Sequence, residues 1–166
     1  MAKIKALRKK EKSPESLPSN YSQVLKNIKA RKTANDLASL RTIISRGEDS
    51  RHQFKEDVRN ADSLAAEMVA FSNSRGGHIF IGISNEGELL GLSGGDVDRV
   101  NQLISNSAGQ HVRSPITVYT ENILVESDRV VIVLTIPEGI DKPYFDLDIL
   151  PSLKGGDSYG VQLVTN

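Results

Sequence analysis

The chain has no cysteine and no tryptophan. Without thiols there is no disulfide framework, no thiolate zinc site and no cysteine nucleophile, and the composition fits a reducing compartment. Aromatic residues make up 5% of the sequence, too few for an obvious single-strand stacking platform. No apolar run approaches the roughly 18 residues of a spanning helix, and the basic start is not followed by the apolar core of a signal peptide. A soluble, cytoplasmic protein without membrane contact is expected. Walker, His-Glu-x-x-His and Gly-x-Ser-x-Gly patterns are missing, and His52, His78 and His111 are scattered without ligand spacing. No cofactor and no metal site is therefore expected.

Net charge is also missing, with 21 basic and 21 acidic residues. The balance hides a division. Residues 1–33 hold ten Lys or Arg against Glu11 and Glu15, a charge of +8, and the remainder holds 11 against 19, a charge of −8. Basic arms bind nucleic acid or anionic surfaces, or are simply solvated tails, and this one has the further option of docking weakly on its own acidic body.

Residues 1–19 are Lys-rich, contain Pro14 and Pro18 and lack periodicity, so a disordered arm is expected. Val24, Leu25 and Ile28 then recur at helical spacing. A second helix, capped by Thr33 or Asn35 and striped by Leu37, Leu40, Ile43 and Ile44, stops at Gly47. Arg51 to Lys55 reads as a short strand, with His52 and Phe54 on one face and Gln53 and Lys55 on the other. Asp62 or Ser63 caps the next helix, with Glu67 as a capping-box carboxylate, and Leu64, Ala65, Met68, Val69 and Phe71 form its apolar stripe. His78 to Ser84 reads as a strand turning at Asn85-Glu86-Gly87. Another helix starts at Asp96, and the runs Pro115 to Glu126 and Arg129 to Ile136 form a hairpin. These elements predict an α+β fold: a mixed, mainly antiparallel sheet of four or more strands with packed helices, preceded by two helices and the arm.

The motifs in order are Gly47-Glu48 before Gln53-Phe54-Lys55, Ala70-Phe71-Ser72-Asn73-Ser74-Arg75-Gly76-Gly77, Ile81-Gly82-Ile83-Ser84-Asn85-Glu86-Gly87 with Gly91-Leu92, and Lys142-Pro143-Tyr144. In this respect the chain resembles the Schlafen AlbA-like domain family, found in bacterial regulators and divergent AAA-type ATPases. The resemblance spans roughly Gly47 to Phe145 and implies a DNA-binding domain. It divides the chain into the arm (1–19), a helical extension (20–46), the AlbA-like domain (47–146) and an atypical tail (147–166). In that tail Pro151 interrupts the expected closing strand, which would leave a sheet edge open to homo-oligomer formation. An ATPase module is not contained in the chain.

The nuclease branch of the family implies three acidic residues around a divalent metal, which fall on Glu48, Gln53 and Asn85. Only Glu48 keeps a carboxylate, and the two neutral amides neither neutralise a hard cation nor act as a base. Glu56 and Asp57 do not replace them, because alternation puts only Asp57 on the Gln53 face, about 13 Å away at strand rise. The expected function is therefore a non-catalytic, regulatory nucleic-acid-binding module, directed at DNA, with contacts from Arg51, Lys55, Arg75, Gly76 and Gly77. Gly76 and Gly77 serve either as a turn or, with Asn73 and Arg75, as an anion cradle. Lys55 contacts phosphate, lies on a solvated face, or pairs with Glu48. A weak metal-dependent ribonuclease and a protein-interaction or oligomerisation module are the rival readings.

Overall fold

A computed structural model describes residues 21–147. The expected basic arm and most of the expected tail lie outside the described residues. The elements are α1 (Tyr21–Ile44), β1 (His52–Lys55), α2 (Ala61–Asn73), β2 (Gly77–Ile81), α3 (Gly94–Gln110), β3 (Tyr119–Leu124) and β4 (Val130–Ile136). The strands form one sheet in the order β1-β2-β4-β3. β1 and β2 run parallel, joined by α2, and the two remaining pairings are antiparallel. The fold is α+β with a mixed, mainly antiparallel sheet, as the sequence predicts.

One helix replaces the two expected before the sheet. No glycine or proline interrupts residues 21–44, and Thr33, expected as a cap, lies inside the helix with its hydroxyl donating to the Lys29 carbonyl at 3.1 Å. α1 is therefore about 36 Å long at 1.5 Å per residue. The turn that follows Ile44 closes at Gly47, where the sequence predicts the stop: the Gly47 amide donates to the Ile44 carbonyl and its φ is +76°. The α2 cap also moves: Asn60 accepts from the Ser63 amide at 2.9 Å, which frees Glu67 from any capping role.

Two cores sandwich the sheet. Ile79, Ile81, Ile132, Leu134 and Ile136 pack under α2 and α3 with Leu64, Met68, Phe71, Val100 and Ile104. On the opposite face Phe54, Phe80, Ile83, Ile123 and Val131 meet Leu40 of α1. Burying each such large side chain stabilises by about 1.5–3 kcal/mol. Only the second half of α1 takes part, because Val24, Leu25 and Ile28 remain exposed.

The turn from α2 into β2 sets the approach of the strands. The Gly76 amide donates to the Phe71 carbonyl at 3.0 Å with φ +72°, and an added Cβ would stand 2.6 Å from the Ile136 oxygen. At Gly77 a Cβ would enter the Phe71 ring and stand 2.9 Å from the Arg51 oxygen. Gly76→Ala is expected to destabilise the domain by about 2 kcal/mol or more, measured by urea unfolding, whereas Gly94→Ala, in open space, stays within about 0.5 kcal/mol.

Candidate nucleic-acid interface

Parallel pairing puts His52 opposite His78, so Arg51 enters β1 beside the Gly76-Gly77 turn and its carbonyl accepts the His78 amide at 2.7 Å. Arg51 and Arg75 are exposed, and neither guanidinium has an ion pair or hydrogen bond among the described residues. Both lie near Glu138, beyond the end of β4. Lys142 completes the group, its Nζ donating to Glu138 at 2.7 Å and to the Ser74 carbonyl at 2.5 Å. The Glu138 carboxyl is held below the usual range by the Lys142 hydrogen bond first and then by the charges of Lys142, Arg75 and Arg51. Lys142 thus pairs with Glu138, and the two arginines act on it through their charge alone.

The backbone of this turn is mostly committed. The Gly76 amide caps α2, and the Asn73 side chain makes two bonds to the Tyr144 backbone, donating to its carbonyl at 2.9 Å and accepting its amide at 2.8 Å. Asn73 therefore fastens the Lys142-Pro143-Tyr144 segment to α2 and brings Lys142 to the patch. Sequence reading counts Lys142 among the motif residues but not among the contacts; its pairing across to the α2 turn carries no local signal.

Lys55 stands apart at the far end of β1, opposite Ile81. The pairing with Glu48, one of three readings open for Lys55, is not made. Instead its Nζ binds Glu67 of α2 at 2.7 Å, a half-buried ion pair beside an open cavity that Asp57, Arg59 and Ser63 also line. Glu48 accepts the Phe54 amide at 2.6 Å, satisfying a donor on the edge strand. Gln53 buries its Oε1 with no hydrogen-bond partner among the described residues. A neutral amide is far less costly in that position than an unpaired carboxylate would be. Asn85 is exposed in a turn organised by Ser84, whose hydroxyl accepts the Glu86 and Glu88 amides at 3.2 Å.

The divalent metal implied by the nuclease branch does not fit these residues. One carboxylate is already bonded, two positions are amides, and among the described residues no three His, Asp or Glu side chains converge as metal ligands. Asp57, which lines the same cavity as Lys55 and Glu67, is bound by Arg99 at 2.5 Å and Arg59 at 2.7 Å. Burial raises its pKa, but the hydrogen bonds of Arg99, Arg59 and the Val58 amide outweigh burial and leave it lowered.

A family model described as Schlafen, AlbA_2 matches residues 48–159. The chain belongs to the Schlafen AlbA_2 family. The match runs past Phe145, where the recognisable motifs stop. Among solved structures, the AlbA_2 chain is similar to the N-terminal domain of a RecG-related protein from Nitrosomonas europaea, at 19% identity and a TM-score of 0.50. That similarity covers 77% of this chain and 90% of the other, and it shows a shared fold. No curated protein matches the chain significantly.

Two predictions follow from the bonds of Glu48 and Asp57. Glu48→Ala, which orphans the Phe54 amide, is expected to lower unfolding free energy by about 1 kcal/mol, and Glu48→Gln by less, in urea titrations. Because the folded pKa of Asp57 is depressed, its contribution is complete above the unfolded value of about 3.9 and is lost as pH falls through the lower folded value. Asp57→Asn should flatten the stability profile below about pH 4 when acid unfolding is followed by circular dichroism.

Proposed function

We propose that this AlbA_2 domain binds nucleic acid without cleaving it, as a regulatory module directed at DNA, through a phosphate contact at the Arg51, Arg75 and Lys142 patch. The observation that carries this reading is the pair of exposed guanidinium groups, free of ion pairs among the described residues, on either side of the glycine turn. Guanidinium groups match phosphate geometry in a fork and retain their charge at all relevant pH values. Lys142 adds a point charge, and Glu138 limits the patch by orienting Lys142. The basic stretch in residues 1–33 supplies additional attraction that is independent of sequence. Gly76 and Gly77 contribute by bringing the strands together. Lys55 is a secondary contact, since phosphate would have to compete with Glu67 for its ammonium group.

The exposed Val24, Leu25 and Ile28 on the unpacked half of α1 support a second reading, association through that helix. A strictly monomeric species by light scattering at high concentration would remove it.

The test of the main reading is duplex DNA binding across a salt series. Each phosphate contact contributes about −0.9 to the slope of log affinity against log salt, so Arg51→Ala with Arg75→Ala should make the slope about 1.8 less steep. An unchanged slope and affinity in the double variant would refute the patch. A chain starting at residue 20, which leaves α1 whole, should keep binding that is sensitive to these two arginines. Loss of all binding with the arm would assign the affinity to the arm alone.

A further inference from the structure

The face of the sheet under α1 holds a cavity of about 200 Å³ that the phosphate patch does not use. Its apolar surface comes from Leu40, Ile43, Phe80, Ile123 and Val133, and its polar groups are the imidazoles of His52 and His78, the Ser39 hydroxyl and the carboxylates of Asp36 and Glu121. The two imidazoles stack with centroids 5.6 Å apart and planes within 11° of parallel. Phe80 lies 6.1 Å from each of them. Each Nδ1 is held in place: His52 by the Asp49 carboxylate at 3.0 Å, and His78 by the Thr135 hydroxyl at 3.1 Å. Neither Nε2 has a hydrogen-bond partner among the described residues. Burial, followed by the charges of His52 and Arg51, pushes the His78 pKa down, so this ring is neutral near pH 7.

The location connects this cavity to the cationic turn. His52 directly follows Arg51, and His78 directly follows Gly77, so the aromatic wall begins one residue from the groups that would hold a phosphate. The cavity is smaller than the roughly 300–1,000 Å³ of sites for drug-sized ligands, and suits one ring system. Flat rings and an apolar floor favour a planar aromatic ligand, and two carboxylates at the rim favour one with N–H donors on its edge. Asp36 has no ion pair within the described residues, and Glu121 is exposed and bonded only to Lys32, at 2.9 Å. A metal ion is a poor match, because no three ligands converge.

We infer that the His52, His78 and Phe80 cavity receives a single unpaired nucleobase carrying an exocyclic amino group, cytosine foremost, from a strand whose phosphate rests on Arg51 and Arg75. The inference rests on the nucleic-acid-binding reading above and adds base selection to it. The base stacks on the histidine wall, as splayed bases do on aromatic side chains, and its amino group donates to Asp36 or Glu121, the pairing that acidic side chains make with cytosine N4. Thymine and uracil present a carbonyl oxygen at that position and would face carboxylate oxygens with no donor between them.

The test uses the full chain and labelled oligonucleotides of equal length: oligo-dC, oligo-dT and an abasic backbone, with oligo-rC and oligo-rU as the RNA arms. Fluorescence anisotropy at fixed salt should show oligo-dC binding at least about fivefold more tightly than oligo-dT, the weak end of one base contact. Asp36→Ala with Glu121→Ala should abolish the difference, by weakening oligo-dC and, with the carboxylates no longer facing the thymine carbonyl, without weakening oligo-dT. The imidazole resonances of His52 and His78 should shift with oligo-dC and not with the abasic strand, a readout that needs no variant. Equal binding of all strands, still sensitive to Arg51→Ala, would overturn the cavity inference and leave the phosphate patch standing. No binding of any strand or duplex would overturn both.

Discussion

The close approach of backbone at Gly76 and Gly77 is the constraint on which the remaining geometry depends. A helix of thirteen residues must end, reverse and enter a strand while the Phe71 ring, the Arg51 carbonyl and the end of β4 occupy the space a side chain would need. Glycine accepts the left-handed conformation and the contact together. Because the strands close here, β1 and β2 pair in parallel register, Arg51 is brought beside Arg75, and His52 is placed over His78. The cationic patch and the histidine cavity are two consequences of one turn.

Local charge, and not the sum over the chain, governs what this end of the sheet attracts. The chain beyond residue 33 carries a formal −8, yet at physiological salt charges separated by more than about 8 Å are largely screened. A phosphate at the turn experiences mainly Arg51, Arg75, Lys142 and Glu138. At the other end of β1 the balance is reversed: Lys55 is paired with Glu67, and Asp57 is claimed by two arginines. Within the Schlafen AlbA_2 frame, Glu48 and Asp57 are taken up by structural bonds. Glu48 serves a strand edge, and Gln53 carries a buried, neutral amide oxygen.

Much of the frame was legible in the sequence because it rests on short-range signals. Alternation in the β3 and β4 runs, the Asn85-Glu86-Gly87 turn, Gly47 as a helix stop and the apolar stripe of α2 each predict the element observed. The continuity of α1 is not legible because Thr33 and Asn35 resemble caps, whereas the absence of glycine and proline from residues 21–44 lets the helix run through both. Partners distant in sequence were not legible. Asn73 with Tyr144, Lys55 with Glu67 and Lys142 with Ser74 are set by the fold, and no local pattern marks them. The histidines appeared scattered because their adjacency is a property of strand register; placing His52 two residues before Phe54, and His78 two before Phe80, was the available clue that each pair shares a face.

The most direct measurement is amide chemical-shift mapping of the full chain during titration with a short oligonucleotide. The account predicts that the largest shifts fall on Arg51 and His52, on Asn73 to His78, and on Glu138 to Tyr144. Shifts confined to the arm, or centred on Lys55, Asp57 and Glu67, would contradict it.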